Sequence, residues 1–372
     1  MNENMKLIET CSPHETGKKA DKHFIMAMNE SFDFHYYNND IFRKNADTFD
    51  ISHLKKIKDL EEYPYIFVNF FKSHRLSSVT DDLIKISLSS SGTGGHKSYH
   101  PLDEESLERI KKIVFYSFEE AGLISNKPHN YLCFTYDPNV AKDVGTAFSD
   151  KLLTNLTPIS NEYYALKFNN KNKEFEFDEK ECLKILYKYE KSGLPLRILG
   201  FPAYIWKVLS STNKTFNFPK ESAIITGGGW KLHTGEEVEK SKFKQMIAYK
   251  LGISPDNIRD TYGMVEHGIP YLDCKYNNFH IPVYSRILIR DPLSLKVMKE
   301  GETGIMQLFT PYMHSFPAIS LLSTDKAYLK TNCPCGRKTP YFVLMGRGGV
   351  KKHKGCAINA AELLSRMEKR SK

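Results

Sequence analysis

Three groups of residues in this chain have the types and spacing to do chemistry. Ser89 to Lys97, SSSGTGGHK, places serines, glycines and a threonine ahead of a lysine. Glycines let backbone N–H groups turn toward an anion with no Cβ in the way, and the hydroxyls and the Lys97 ammonium add donors and positive charge. The chemistry expected is phosphate binding, with a nucleoside triphosphate as ligand. GxxxxGK[ST] cannot be laid on the run, so it is not a Walker loop, and taken alone it also fits a plain surface loop. Cys274 and His280, five residues apart in between, and Cys333 and Cys335, flanking Pro334, form two close pairs of soft ligands. Thiolate and imidazole suit tetrahedral Zn²⁺, and a Cys₃His set would be structural, stapling distant segments with no open ligand position. Cys356 follows Lys351, Lys352, His353 and Lys354, an electropositive setting that favours a nucleophilic thiolate. The alternative for Cys356 is a small apolar residue at a helix start.

The elements that must position these groups read as alternating strands and helices. ISLSSSG is a strand running into the glycine loop. Asp103 is placed to cap a helix through Glu120, with Leu107, Ile110, Val114 and Phe118 at helical spacing and Ile113 beside them. YLCFTY from Tyr131 reads as a buried strand, KECLKILYKYEKSG as a helix ending at Gly193, LRILGF as a strand, and AIIT as a strand entering Gly227, Gly228 and Gly229. Such alternation predicts α/β layers with a mainly parallel sheet, whose strand ends are where ligands bind. A last glycine cluster, Gly346, Gly348 and Gly349, precedes KKHKGCA and a short helix, AAELLSRMEK, making this tail the candidate moving part.

With 372 residues, 41% hydrophobic and 12% aromatic, the chain can bury a large core, and one continuous fold with a small appendage is the simplest organisation. The formal charge of +9 is spread among many Lys and Glu residues, and the Lys351 to Lys354 run is too short for a nucleic-acid arm. No apolar segment follows MNENMKLIE, and nowhere do about 18 apolar residues run together, so a soluble, cytoplasmic protein without a membrane span is expected. Seven cysteines fit thiols or metal ligation better than a disulfide framework. Cys11, Cys133 and Cys182 are expected to be ordinary thiols, the latter two buried.

Four motifs in order, SSSGTGGHK, ITGGGWK, DTYGMVEHG and STDKAYL, the last followed by Gly346 and Arg347, give the chain a resemblance to the acyl-adenylate-forming enzymes. It is most similar to the LuxE acyl-protein synthetases of bacterial bioluminescence, and next to the phenylacetate:CoA ligases. The resemblance implies the N-terminal-domain-like fold of adenylate-forming enzymes, with a short C-terminal tail in place of the usual lid: residues 1–345 activating the acyl group and 346–372 carrying its acceptor. It implies ATP and Mg²⁺ as cofactors, with Ser89, Ser90, Ser91, Gly92, Thr93, Gly94, Gly95 and Lys97 on the β and γ phosphates. Gly227, Gly228, Gly229 and Trp230 would line the adenine and acyl side. Thr261, Tyr262 and Gly263 would border the nucleotide, Tyr262 stacking on adenine, and Glu266 would coordinate Mg²⁺. Asp325 would accept from ribose hydroxyls, with Arg347 near the same sugar. The implied reaction is attack of a fatty carboxylate on ATP, then capture of the acyl group by Cys356 for an acyl reductase subunit or an acyl carrier protein. The phenylacetate:CoA ligase-like part of the resemblance adds weight to zinc at Cys274, His280, Cys333 and Cys335. Leu322 departs from the pattern, standing near a place often held by arginine, and the lid lysine has no assigned counterpart beyond Lys351, Lys352 or Lys354. An acyl- or aryl-CoA ligase, and a non-catalytic acyl or nucleotide sensor, are the competing readings.

Overall fold

A computed structural model of the chain describes residues 2–89, 98–137, 140, 151–171, 174–230 and 238–347. These divide into two compact units. One holds the described residues up to Ala121 and those from Gly263 onward, the other those between Gly122 and Tyr262.

The first unit opens with helices α1 (Glu3–Thr10), α2 (Lys18–Asn38) and α3 (Asp40–Ala46). A short strand β1 (Ile66–Phe67) precedes the antiparallel hairpin of β2 (Ile84–Ser89) and β3 (Tyr99–Asp103). In that hairpin Ser89 pairs with Tyr99, so the two ends of the glycine-rich run are tied to each other by backbone. Asp103 ends β3 and caps α4 (Glu104–Glu120), its Oδ1 accepting from the Ser106 N–H at 2.9 Å. The predicted stripe of Leu107, Ile110, Ile113, Val114 and Phe118 is buried.

The second unit is the parallel sheet that the sequence predicts. Strands β4 (His129–Tyr136), β5 (Ile159–Asn169), β6 (Glu174–Phe177), β7 (Leu196–Gly200), β8 (Ala223–Gly227) and β9 (Ile258–Tyr262) run in the order β9-β8-β7-β4-β5-β6. All pairs are parallel except β5–β6. Every residue of β4 and β7 is buried, and helices cover one face of the sheet. Those helices are α5 (Glu179–Lys191), α6 (Pro202–Ser210) and α7 (Lys240–Leu251). Leu186, Ile205, Val208, Ile247 and Leu251 pack from them against Leu132, Phe134, Ile198 and Ile224, each such side chain contributing about 1.5–3 kcal/mol of transfer free energy.

Back in the first unit, β10 (Tyr271–Leu272) is followed by β11 (Phe279–His280), β12 (Arg286–Arg290), β13 (Gly304–Phe309), β14 (Ser320–Lys330) and β15 (Tyr341–Arg347). The last five form an antiparallel sheet, β11-β15-β14-β13-β12, with β1 joining β14 in parallel. Alternation of strands and helices does not announce this second sheet. Among the described residues no helix is long and apolar enough to cross a membrane.

Candidate active site and metal centre

In the second unit, β8 and β9 bring two of the predicted groups together at their C-terminal ends. Gly227 lies opposite Thr261 in the ladder. The Thr261 hydroxyl donates to the Thr226 carbonyl at 2.8 Å, and the Thr226 hydroxyl donates to Asp260 Oδ1 at 2.8 Å. Lys240 Nζ sits 3.0 Å from the other Asp260 oxygen. A Cβ on Gly227 would stand 2.9 Å from Thr261 Oγ1, so this position must be glycine for the two strand ends to meet. Gly228 and Gly229 follow at φ 77° and 71°, turning the chain sharply out of the sheet. Trp230 then lies 5.9 Å from the Trp206 ring and 5.7 Å from the Phe243 ring, forming an aromatic patch against the sheet core. Tyr262 is the last residue of β9. The arrangement offers glycine backbone and an aromatic face at parallel strand ends, where flat ligands bind.

The first unit holds the remaining described groups. Asp325 in β14 lies directly opposite Arg347 in β15. The Asp325 N–H donates to Ser323 Oγ at 3.1 Å. Leu322, where an arginine was a candidate by resemblance, is a fully buried core residue. Ser89 closes β2.

Gly263 begins the segment that carries Glu266, whose turn is set by the His267 and Gly268 N–H groups, both donating to the Met264 carbonyl at 3.0 Å. Glu266 is buried, and its Oε1 lies 3.5 Å from Nε2 of His100. The same Nε2 is 2.8 Å from Ser98 Oγ. Beside the turn, His267 Nε2 is 2.6 Å from the Tyr271 hydroxyl, which is 2.6 Å from Ser285 Oγ. His267, Tyr271 and Ser285 are all fully buried. Burial pushes the His267 imidazole down to about 3, so the ring is neutral at physiological pH.

The two cysteine- and histidine-bearing segments meet in this unit. One ligand atom from each of Cys274, His280, Cys333 and Cys335 lies within 4.8 Å of every other. Cys274 Sγ and Cys333 Sγ are 3.7 Å apart, and Cys335 Sγ is 3.2 Å from His280 Nε2. A tetrahedron with Zn–S bonds of about 2.3 Å has sulfur–sulfur edges of about 3.8 Å, which the 3.7 Å between Cys274 and Cys333 matches. The segments are shaped for it: Asn277 and Gly336 take φ 63° and 89° in tight turns beside the ligands. His280 Nδ1 is 3.1 Å from the Thr339 carbonyl, to which it donates, leaving the Nε2 lone pair facing Cys335. Burial pushes His280 down to about 4, with Arg337 adding to the effect and the Thr339 carbonyl opposing it, which keeps the imidazole in its ligating form. Burial likewise pushes the Cys274 thiol up to about 11. At Cys333 burial pulls the same way, but it is outweighed by the Cys335 N–H and the Asn278 amide, 3.2 Å from its sulfur.

Ser90, Ser91, Gly92, Thr93, Gly94, Gly95, Lys97 and Cys356 lie outside the described residues, as does the tail helix. Cys133 and Cys182 are buried cysteines outside any disulfide, as expected, and Cys11 is buried as well. His100, Ser98 and the His267–Tyr271–Ser285 chain are neighbours of Glu266 that the motifs do not flag. The only signal for His100 is its place three residues beyond Lys97.

The fold belongs to a known class. The chain superposes on 2-hydroxyisobutyryl-CoA ligase, solved in an open conformation with 2-HIB-AMP and CoA, with a TM-score of 0.67 at 13% identity over 90% of this chain and 76% of that one. The same ligase in its postadenylation state gives a TM-score of 0.64 at 14% identity over 90% of this chain and 69% of that one. The fold is therefore that of the adenylate-forming ligases. Within that class the chain belongs to the LuxE acyl-protein synthetase family, whose model matches residues 4–365. It is 25% identical over 338 residues to the long-chain-fatty-acid–luciferin-component ligase of Vibrio harveyi, covering 89% of this chain and 85% of that protein. The ligase of the same name from Aliivibrio fischeri is 25% identical over 349 residues, covering 91% and 88%.

Proposed function

We propose that this protein activates a long-chain fatty acid with ATP and transfers the acyl group to its own Cys356. The observation that carries this reading is the family match across residues 4–365. In the first step a carboxylate oxygen bonds to the α phosphorus of ATP and pyrophosphate leaves. In the second the Cys356 thiolate bonds to the acyl carbon, the mixed-anhydride C–O bond breaks and AMP leaves. Neither step needs an oxidant or a covalent catalyst, so positioning and charge neutralisation suffice.

On this reading Ser89 through Lys97 hold the β and γ phosphates. The Gly227–Gly229 turn and the Trp230 patch receive adenine and acyl chain beside Thr261 and Tyr262, and Asp325 and Arg347 receive the ribose. Glu266 is the oxygen ligand for Mg²⁺, which when bound neutralises phosphate charge. Cys274, His280, Cys333 and Cys335 hold a structural Zn²⁺; the size and protonation pattern of the set support this. Residues 1–345 form the activating part and 346–372 the acceptor segment, from which an acyl reductase subunit or a carrier protein takes the acyl group.

Intact mass after incubation with ATP, Mg²⁺ and a panel of fatty acids tests the reading, beside Cys356→Ala. An acyl adduct on the wild type alone, removed by neutral hydroxylamine, is the expected result. Pyrophosphate release with no adduct, and acyl-CoA formed equally by Cys356→Ala, would make the protein a CoA ligase; no pyrophosphate with any acid would make it a non-catalytic sensor.

A further inference from the structure

One residue between Cys274 and His280 touches both halves of the Cys₃His set. Asn277 turns the chain at φ 63°. Around that turn the Cys274 N–H donates to the Asn278 carbonyl at 2.9 Å, and the Asn277 N–H donates to the Cys274 carbonyl at 2.8 Å. Asp273 and Phe279 pair across the same turn. Asn278 is thereby brought back beside Cys274 through its backbone. Its half-buried side chain donates from Nδ2 to the sulfur of Cys333, 3.2 Å away and 55 residues further along the chain.

Three thiolates and an imidazole around a divalent ion leave a net negative charge, and here Cys274 and Cys333 are buried. Charge taken out of water needs donors nearby, and the ligands of a metal are held in place by the hydrogen bonds behind them. Two N–H groups are directed at the Cys333 sulfur. That of Cys335 comes from the C-x-C backbone and is present whatever stands at position 278. The Asn278 amide depends on its side chain. Being neutral, it supplies a donor without bringing a cation that would compete with the metal, whereas an aspartate of the same shape would set a carboxylate oxygen against the sulfur. Because the backbone of Asn278 is bonded to Cys274, the amide also ties the place of the Cys333 sulfur to that of the Cys274 sulfur, 3.7 Å from it.

We propose that Asn278 is a positioning residue of the metal centre, whose N–H···S bond fixes Cys333 against Cys274 and spreads the charge on its sulfur, so that the ion is retained. This rests on the proposed Zn²⁺ at Cys274, His280, Cys333 and Cys335.

The test reads the metal and not the turnover. The full-length wild type is compared with Asn278→Leu, which keeps the bulk without a donor, and Asn278→Asp, which keeps the shape and replaces the donor by a charged acceptor. Zinc affinity is measured by competition with a chromophoric chelator. Loss of an outer partner weakens metal binding about tenfold or more, so Asn278→Leu should bind zinc about tenfold less tightly and Asn278→Asp less tightly still. With Co²⁺ in place of zinc, both variants should keep the d–d bands of a tetrahedral ion, while the sulfur-to-cobalt charge-transfer band moves to lower energy, because a sulfur without its donor gives up electron density more readily. Asn278→Leu, which is uncharged, makes the comparison by itself should Asn278→Asp not fold. Wild-type zinc affinity with an unmoved charge-transfer band in Asn278→Leu overturns the proposal. So does a melting point that falls as far in the metal-free variant as in its loaded form, since Asn278 would then support the fold and not the ion. A wild type that takes up neither metal would instead remove the zinc reading itself, and the proposal with it.

Discussion

Removing one ligand of the Cys₃His set should loosen the first unit by an amount the chain itself defines. Cys274 and Cys333 are 59 residues apart in sequence, and an ion held by both closes that loop in the folded chain. Treated as a cross-link, closing a loop of that length is worth about 4 kcal/mol of denatured-state entropy at 25 °C. Mass action gives a similar figure, about 4 kcal/mol for an ion held a thousandfold above its dissociation constant. For a unit of roughly two hundred residues each kcal/mol moves the midpoint by about 2–4 °C. Cys333→Ala should therefore lower the melting transition of this unit by about 8–16 °C.

The assay is calorimetry of protein purified without chelator, paired with metal analysis. The wild type should carry one equivalent of zinc and Cys333→Ala far less. A strong chelator should bring the wild type to the melting point of the variant and move the variant no further. Two results refute the reasoning. Zinc well below one equivalent in the wild type removes the site, and a full equivalent with an unshifted Cys333→Ala places the metal elsewhere.

Three further expectations follow from buried contacts. His35 is fully buried between Ser78 Oγ and the Met313 carbonyl, each at 2.8 Å, and burial pushes it down to about 3 despite the opposing Met313 carbonyl. The unfolded chain takes up this proton near pH 6.5 and the native state does not, so stability falls as pH drops from about 6.5 toward 3, by up to about 1.4 kcal/mol per pH unit; His35→Gln should flatten that slope in urea titrations, and an unchanged slope would clear His35 of the effect. Gly227→Ala puts a methyl 2.9 Å from Thr261 Oγ1, an overpacking cost of about 1–3 kcal/mol, which should appear as roughly a tenfold or greater rise in KM for ATP in pyrophosphate exchange; wild-type KM would take this strand end out of the nucleotide site. Tyr271→Phe should cost about 1–3 kcal/mol in denaturant unfolding by leaving a buried donor on His267 unpaired, and a neutral effect would mean that the chain of bonds there is not as assigned below.

The parallel sheet was legible because strands buried on both faces read as unbroken apolar runs, as in Tyr131 to Tyr136 and Leu196 to Gly200. The α4 boundaries were legible from Asp103, whose side chain does what a cap residue is chosen to do. The antiparallel sheet was not, because its interior strands carry buried polar residues that break the pattern. Gln307 in β13 is fully buried, donating to Ser320 Oγ at 2.9 Å and accepting from Arg290 of β12, itself buried. A reader of sequence meets RILIR and GIMQLF as interrupted runs, while the folded chain satisfies each interruption with a partner from the next strand. The cysteine and histidine pairs were legible in kind, since few other roles use C-x-C and C-x₅-H together, but their convergence depends on the pairing of β11 with β15.

The surroundings of the Glu266 turn were not legible in the sequence, and His267 shows why. At His267 the unpaired buried atom is Nδ1, and a proton there would leave a donor in the core with nothing to accept it. With the proton on Nε2, His267 donates to the Tyr271 oxygen, Tyr271 donates to Ser285 Oγ, and Ser285 donates to the Arg286 carbonyl at 3.4 Å. Every O–H and N–H in the chain is then used, and only a lone pair is left over. The reverse direction would strand an N–H in the core. The fully buried His267, next to Glu266 in sequence, thus anchors this turn through its own side chain. Partners at spacings of four and eighteen residues carry no local signature, because nothing in the one-dimensional pattern distinguishes a histidine that will donate inside the core from one that will face water.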